Sequence, residues 1–283
     1  MTALAEALGF ASDTPLLIIN ADDLGMCHAA NVGAFEALTE GLATSASLMV
    51  PCPWSREAAT RYTGEDIGVH LTLNAEFACY RWGPTTHSPT LLDGDGGFPQ
   101  TVEDVSEHAD VDEVRRELAA QIERAILWGF DVTHLDSHMG TLQLRPELFD
   151  AYLEAAIDFD LPIRLSGAAS ESAIGFPFRS LATDEGIVFP DHFLYEPGGS
   201  VRPLIEKYLE APRPGVTEIL GHPAIDTAEL RSIAFDADTR VDDHRALTAD
   251  AGLGARLDDA GVQLVGYRAL RDLQRSMRAA ASG

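Results

Sequence analysis

The 283-residue chain is 46% hydrophobic, enough to bury a large core, and its length suits one α/β barrel as naturally as two domains; a single domain over 1–283 is the reading taken here. Twenty basic residues against 45 acidic ones give a formal charge of -25, which repels nucleic acid and anionic membranes, so neither is expected as a partner. Cys27, Cys52 and Cys79 are odd in number and lack CxxC spacing. Together with the lack of a basic leader or a bilayer-length apolar run, this sets the expectation of a reduced, cytoplasmic protein.

In chain order, Leu16 to Asn20 is an apolar strand, followed by helical spacing from Met26 to Leu38 that Gly41 closes. A strand at Thr44 to Val50, a short helix at Ser55 to Tyr62 and a strand at Ile67 to Leu73 come next. The stretch from Asn74 to Asp110 is rich in Gly, Pro, Thr and Asp; it reads as an irregular insertion of the kind that walls a binding site. An amphipathic helix covers Val111 to Trp128, then a strand Thr133 to Asp136, a helix opened by Pro146 that runs to about Phe159, and a strand Leu161 to Leu165. A second irregular region spans Ser166 to Ser200. The chain ends with a helix near Pro203 to Leu209, strand Thr217 to Leu220, helix near Asp243 to Leu257, strand Val262 to Val265 and helix Leu270 to Arg278. About seven strands, each usually followed by a helix, define an α/β class with a distorted parallel (β/α) barrel; the absence of a Gly-rich phosphate loop makes a doubly wound sheet the weaker alternative.

Four strands run directly into Asp or His: LLIINADD (Leu16 to Asp23), IGVHLTL (Ile67 to Leu73), THLDSH (Thr133 to His138) and TEILGHP (Thr217 to Pro223). Ligand sites in α/β folds gather at the C-terminal ends of strands, so these residues are expected to converge on one site, and the protein to be an enzyme. The adjacent Asp22 and Asp23 repel each other unless a cation is near, which suits metal binding by one and proton or substrate contact by the other. An acidic first turn of a helix is an equal reading of that pair alone. Adding His70 and His138 tips the balance, because two imidazoles and a carboxylate from three strands form the donor set of a catalytic divalent metal. His134 is assigned a supporting role, Cys27 that of a small buried residue at a helix start, and Asp93 to Gly97 a turn. The acidic run Asp236 to Asp243 is expected to face solvent, with Arg240 as an anchor within it.

NADDLGM (Asn20 to Met26), TSASLMVPCPW (Thr44 to Trp54), GVHLTL (Gly68 to Leu73), THLDSHMGTL (Thr133 to Leu142) and GHP (Gly221 to Pro223) together resemble the YdjC-type carbohydrate deacetylases, which include chito-oligosaccharide and hopanoid-biosynthesis-associated deacetylases. The resemblance covers nearly the whole chain and implies a distorted (β/α) barrel, one divalent metal ion and hydrolysis of an N-acetyl group on a sugar. It implies Asp23, His70 and His138 as metal ligands, Asp22 as general base and His222 as general acid. One departure stands out: where many members carry a further His after LDSH, this chain has Gly140, which puts the usual chito-oligosaccharide substrate in question.

The metal is zinc on donor softness, whereas the resemblance also admits magnesium. Arg164 is read either as a partner of Asp22 or substrate, or as an ordinary salt bridge. Tyr80 and Trp82, with Phe77, are read as a sugar-stacking surface, against plain loop packing. A small carbohydrate is the expected partner, with a homodimer as the assembly to consider. The alternatives are another metal-dependent hydrolase on the same barrel (an O-deacetylase, another amidohydrolase or a phosphoesterase) and, ranked last, a non-catalytic sugar-binding barrel.

Overall fold

Alternation along the first strand organises the molecule. In the computed structural model, which describes residues 4–281, β1 (Pro15–Leu24) is buried along almost its whole length, as expected of a strand inside a parallel sheet. Successive side chains point to opposite faces, so Leu17, Ile19 and Ala21 join the main core beneath the outer helices. Leu16 and Ile18 point the other way, into a small cluster with Val216, Tyr267 and Ala5. Further along that inner face the apolar pattern gives way to Asn20 and Asp22. The inner face is therefore a dry floor with a polar top.

The remaining strands are β2 (Ser45–Leu48), β3 (Ile67–Leu71), β4 (Leu135–Ser137), β5 (His192–Leu194), β6 (Gly215–Gly221) and β7 (Gln263–Leu264). All pair in parallel, in the order β4-β3-β2-β1-β6-β5. The short β7 pairs with Leu16 and Leu17 on β1, before β2 joins at Asn20. Curled with helices around it, the sheet makes a half-barrel, the α/β architecture of about seven parallel strands expected from the sequence. Between its two edge strands runs extended backbone at 162–164, where Leu135 donates to the Pro162 carbonyl, Arg164 donates to Leu135, and Ile163 donates to Val188.

That segment was expected to be a full strand, but it makes only one ladder bridge, Ile163 to Leu135. Pro162 accounts for part of this, since it has no N–H to give a neighbour. The two regions read as irregular contain more structure than expected. Helix Val102–His108 lies within the first, its N-terminus capped by Thr101. Buried Glu117 organises the same region by accepting from the Thr85 and Thr86 amides at 2.9 Å each. The second contains helices Ala168–Ile174 and Phe178–Asp184 as well as β5. The helix expected near Asp243 to Leu257 is two helices, Ala237–Thr248 and Ala251–Asp259, divided where the Asp250 side chain caps the second. Among the described residues no helix is long and apolar enough to cross a membrane.

The contact between β3 and the segment entering β4 is tight. A β-carbon on Gly68 would meet His134 Nδ1 and lie 2.5 Å from the His134 backbone oxygen. His134 itself is buried and stacks on Tyr267 at 3.8 Å between centroids. Burial pushes its imidazole down to about 3, so it packs as a neutral ring. Gly68→Ala is expected to cost about 1–3 kcal/mol by overpacking, read as a lowered Tm in thermal unfolding. Gly94→Ala, whose β-carbon meets nothing within 4 Å, should leave Tm unchanged.

Candidate metal centre and cavity

A regular strand would send Asp22 and Asp23 to opposite faces. Here the register of β1 against β2 slips between Ala21 and Leu24, and Asp23 takes φ of 64°, in the left-handed region that costs a non-glycine residue roughly 1–3 kcal/mol. The bulge turns both carboxylates toward the same cavity, of about 460 Å³. His70 reaches it from β3, His138 from the residue after β4, and His222 from the residue after β6.

Three donor atoms converge. His70 Nε2 lies 3.0 Å from His138 Nδ1, and each of these nitrogens lies 3.5 Å from Asp23 Oδ1. A tetrahedral ion with bonds of about 2.1 Å sets its ligands roughly 3.4 Å apart, so the spacing fits one divalent ion. Asp23 Oδ1 is buried without a hydrogen-bond donor. The other oxygen, Oδ2, is taken by Arg240 Nη1 at 2.8 Å. Burial works to raise the Asp23 carboxyl, but Arg240 and the neighbouring histidines outweigh it and hold the group well below its ordinary range.

Each imidazole is oriented from behind by a carboxylate, the arrangement that fixes a metal-binding tautomer. His70 Nδ1 pairs with Asp136 Oδ1, and His138 Nε2 pairs with Glu76 Oε2 at 2.9 Å. Burial would lower His138, yet Glu76 and Asp23 push it up to about 10. The centre thus draws positive charge onto itself.

Behind Asp22 stands Arg164, one of the most heavily paired cations in the molecule. Its Nη1 and Nη2 hold the two Asp22 oxygens at 2.7 and 2.8 Å, Nη1 also lies 2.7 Å from Asp136 Oδ2, and Nε donates to Glu218 Oε1 at 2.8 Å. All four residues are buried. Burial works against the guanidinium, but Asp136, Asp22 and Glu218 together raise it well above its ordinary value. Asp22, His70 and Asp136 also stand close enough to suggest a second ion site, but Arg164 already supplies the positive charge there.

The structure brings Asp22, Asp23, His70, His138, Arg164 and His222 to one cavity. Of the two readings of Arg164, it displays the Asp22 pairing. Tyr80 and Trp82 do not line the cavity. Tyr80 donates to the Met26 carbonyl at 2.6 Å and the buried Trp82 donates to the Asn74 carbonyl at 2.9 Å, so both pack in the wall behind. The cavity aromatics are instead Phe193, Tyr195 and Phe235, which no motif marked. Cys27 is buried at the start of helix His28–Thr39, and burial raises its thiol, which suits the packing role.

The expectation that Asp236 to Asp243 faces solvent holds for the exposed Asp238 and Asp242 and is corrected for the rest of the run. Arg240 and Asp243 are buried; Arg240 bridges Asp236 and Asp23, while Asp243 accepts from the His222 and Val201 amides at 2.8 and 2.6 Å. Glu76 and Glu218 also escaped sequence reasoning. Glu218 had one legible signal, a charged residue in the middle of an apolar strand.

The fold and site define a half-barrel with a buried two-histidine, one-carboxylate centre. Residues 16–254 match the family model described as YdjC-like protein. The chain belongs to the YdjC-like family. It is 38% identical over 256 residues to the carbohydrate deacetylase of Thermus thermophilus, covering 87% of this chain and 90% of that one. It is 31% identical over 269 residues to the carbohydrate deacetylase of Thermoanaerobacter pseudethanolicus, covering 90% and 99%. Among solved structures, a putative cellobiose-phosphate cleavage protein from Enterococcus faecalis superposes with a TM-score of 0.78 at 26% identity, covering 91% of this chain and 99% of that one.

Arg164→Met should leave three buried carboxylates without their shared cation and cost about 3–5 kcal/mol at neutral pH. With Arg164 present, Asp136 is held below its ordinary range despite burial, so the folded state keeps this carboxylate ionised and gains stability above the unfolded pKa. Without the guanidinium burial shifts the Asp136 carboxyl upward, and stability is lost as pH rises through its folded-state value. The deficit of the variant should therefore be large at pH 7 and shrink toward pH 4 in denaturant titrations; a deficit independent of pH would overturn this account.

Proposed function

We propose that the chain, acting as one barrel, is a metal-dependent hydrolase that removes the acetyl group from an N-acetylated amino sugar or oligosaccharide. The observation that carries this is the convergence of Asp23 Oδ1, His70 Nε2 and His138 Nδ1 beside Asp22 and His222 in a single cavity. The carbohydrate deacetylase relatives support the choice of substrate class.

Asp23, His70 and His138 would hold one divalent ion. When bound, such an ion polarises a carbonyl and lowers the pKa of water, the two obstacles to amide hydrolysis near neutral pH. Asp22 is the base. Its Oδ2 accepts from Arg164 Nη1, which leaves this oxygen further acceptor capacity, and because Asp22 lines the cavity the carboxylate takes a proton from the attacking water. Arg164 and Asn20, which donates to Asp22 Oδ1 at 2.7 Å, fix the carboxylate in place. His222 lines the cavity and stands edge-on to Tyr195 at 6.4 Å between centroids. Its backbone is pinned by Asp243, and its imidazole gives the proton that the departing amine needs.

The direct test is acetate release from a panel of N-acetylated sugars, with and without chelator. Acetate from O-acetyl esters alone, across the panel, would defeat the amide reading. Asp22→Asn should slow turnover by roughly 10² to 10⁴, the scale of general base catalysis, while metal content stays near that of the wild type. His70→Ala and His138→Ala should each lose most of the metal and most of the activity while remaining folded, because the core of the half-barrel is built elsewhere. Elemental analysis beside circular dichroism separates these outcomes; full metal occupancy in both histidine variants sinks the ligand assignment.

A further inference from the structure

The cavity wall carries four carboxylates, from Asp22, Asp23, Glu76 and Asp236, against two guanidiniums, from Arg164 and Arg240. Neither guanidinium is free for a ligand. Arg164 is committed to Asp22, Asp136 and Glu218, and Arg240 to Asp23 and Asp236. A bound dication brings these six side chains to neutrality and a protonated His222 adds one positive charge, while the buried carboxylates of Asp136 and Glu218 just behind add two negative ones. A phosphorylated, sulfated or uronic sugar would bring further negative charge into a low-dielectric space where the cations not already paired with the protein, the ion and a protonated His222, are the ones the acetyl group itself uses.

The rim differs in character. Phe235 is 83% exposed, Met139 54% and Tyr195 43%, and all three line this one cavity. Phe235 is not loose: its ring rests on the buried Phe77 at 5.5 Å, and Phe77 lies under the Arg240 guanidinium. A supported aromatic face turned to solvent at the mouth of a pocket is built to be covered by a ligand. Next to Met139, Gly140 also lines the cavity; it has φ of 70°, and a β-carbon there meets nothing within 4 Å, so the wall is open at that position.

We infer that the cavity selects an uncharged acetylated sugar, laid against Phe235, and turns away phosphate esters of the same sugar. This rests on the deacetylase reading for the acetyl group, and on the wall charges and rim aromatics for the selection. The selection also separates this chain from a sugar-phosphate specificity of the kind named for its Enterococcus faecalis structural neighbour.

The test pairs neutral N-acetylated mono- and disaccharides with their phosphate esters on the metal-loaded wild-type protein, reading binding by saturation-transfer NMR and turnover by acetate release. The expected result is that at least one neutral sugar binds and that its phosphate ester binds about tenfold or more weakly. A phosphate ester that binds as tightly as its neutral partner overturns the selection, even if acetate is released. Preference for the neutral sugar without any acetate release leaves the selection standing and overturns the deacetylase reading instead. Absence of binding by every sugar overturns both. Phe235→Ala should weaken sugar binding about three- to tenfold with Tm unchanged, and Phe235→Trp should restore it. Undiminished binding in Phe235→Ala removes that ring from the site.

Discussion

One guanidinium ties the interior of the half-barrel together. Arg164, on the extended segment between the edge strands, holds Asp22 from β1, Asp136 from β4 and Glu218 from β6. Asp136 passes the connection on to His70 on β3, and Glu218 passes it to Tyr267 at the start of the last helix. Burying so many charges gains little net stability, because the desolvation cost offsets the Coulombic attraction. The gain is in position. Four separate strands are set to one another through a planar, five-donor group whose geometry admits few alternatives.

The same cluster explains how a base and a set of metal-ligand candidates coexist within hydrogen-bond range. Asp22 and Asp23 are neighbours in sequence, but each has its own arginine: Arg164 for the first, Arg240 for the second. With separate counterions the two carboxylates respond to different surroundings. Asp22 has both oxygens engaged by Arg164, whereas Asp23 keeps one oxygen free of any donor and aimed at two imidazoles. The bulge in β1 makes this possible, at the expense of a left-handed backbone at Asp23 that a regular strand would avoid.

Much of this was legible in the sequence because strand ends write their function locally. A run such as LLIINADD shows both the buried strand and the polar residues at its mouth, so the parallel α/β class and the gathering of Asp22, Asp23, His70, His138 and His222 followed from short motifs. What was not legible depends on distant partners. Arg240 comes from a helix 217 residues after Asp23, in an acidic run whose pattern reads as solvent-facing. Glu76 looks like one more polar residue in a loop until the fold sets it against His138. Tyr80 and Trp82 show the reverse error: aromatics close in sequence to His70 were drawn to the site by proximity, while chain direction sent them into the wall. Phe193 and Tyr195 reach the cavity from the segment read as irregular, and Phe235 from a position just before the acidic run.

The centre presents three ligand atoms to a cation but only one to a proton, a difference visible in its hydrogen bonds. With the site filled by protein alone, burial works against charging His138, yet the carboxylates of Glu76 and Asp23 hold its proton up to about 10. That proton has to sit on a ring already committed at Nε2 to Glu76, so the nitrogen left facing Asp23 and His70 is Nδ1. A single proton can answer only part of that demand. It satisfies one ligand atom, whereas Asp23 Oδ1 remains without a donor and His70 Nε2 faces another ring nitrogen. A divalent ion answers all three atoms at once and must displace the proton to do so, so occupancy and acidity oppose each other at this centre. Glu76, which helps to raise His138, is thus also the group that would orient it as a neutral ligand, while Asp23 would share the ion with it.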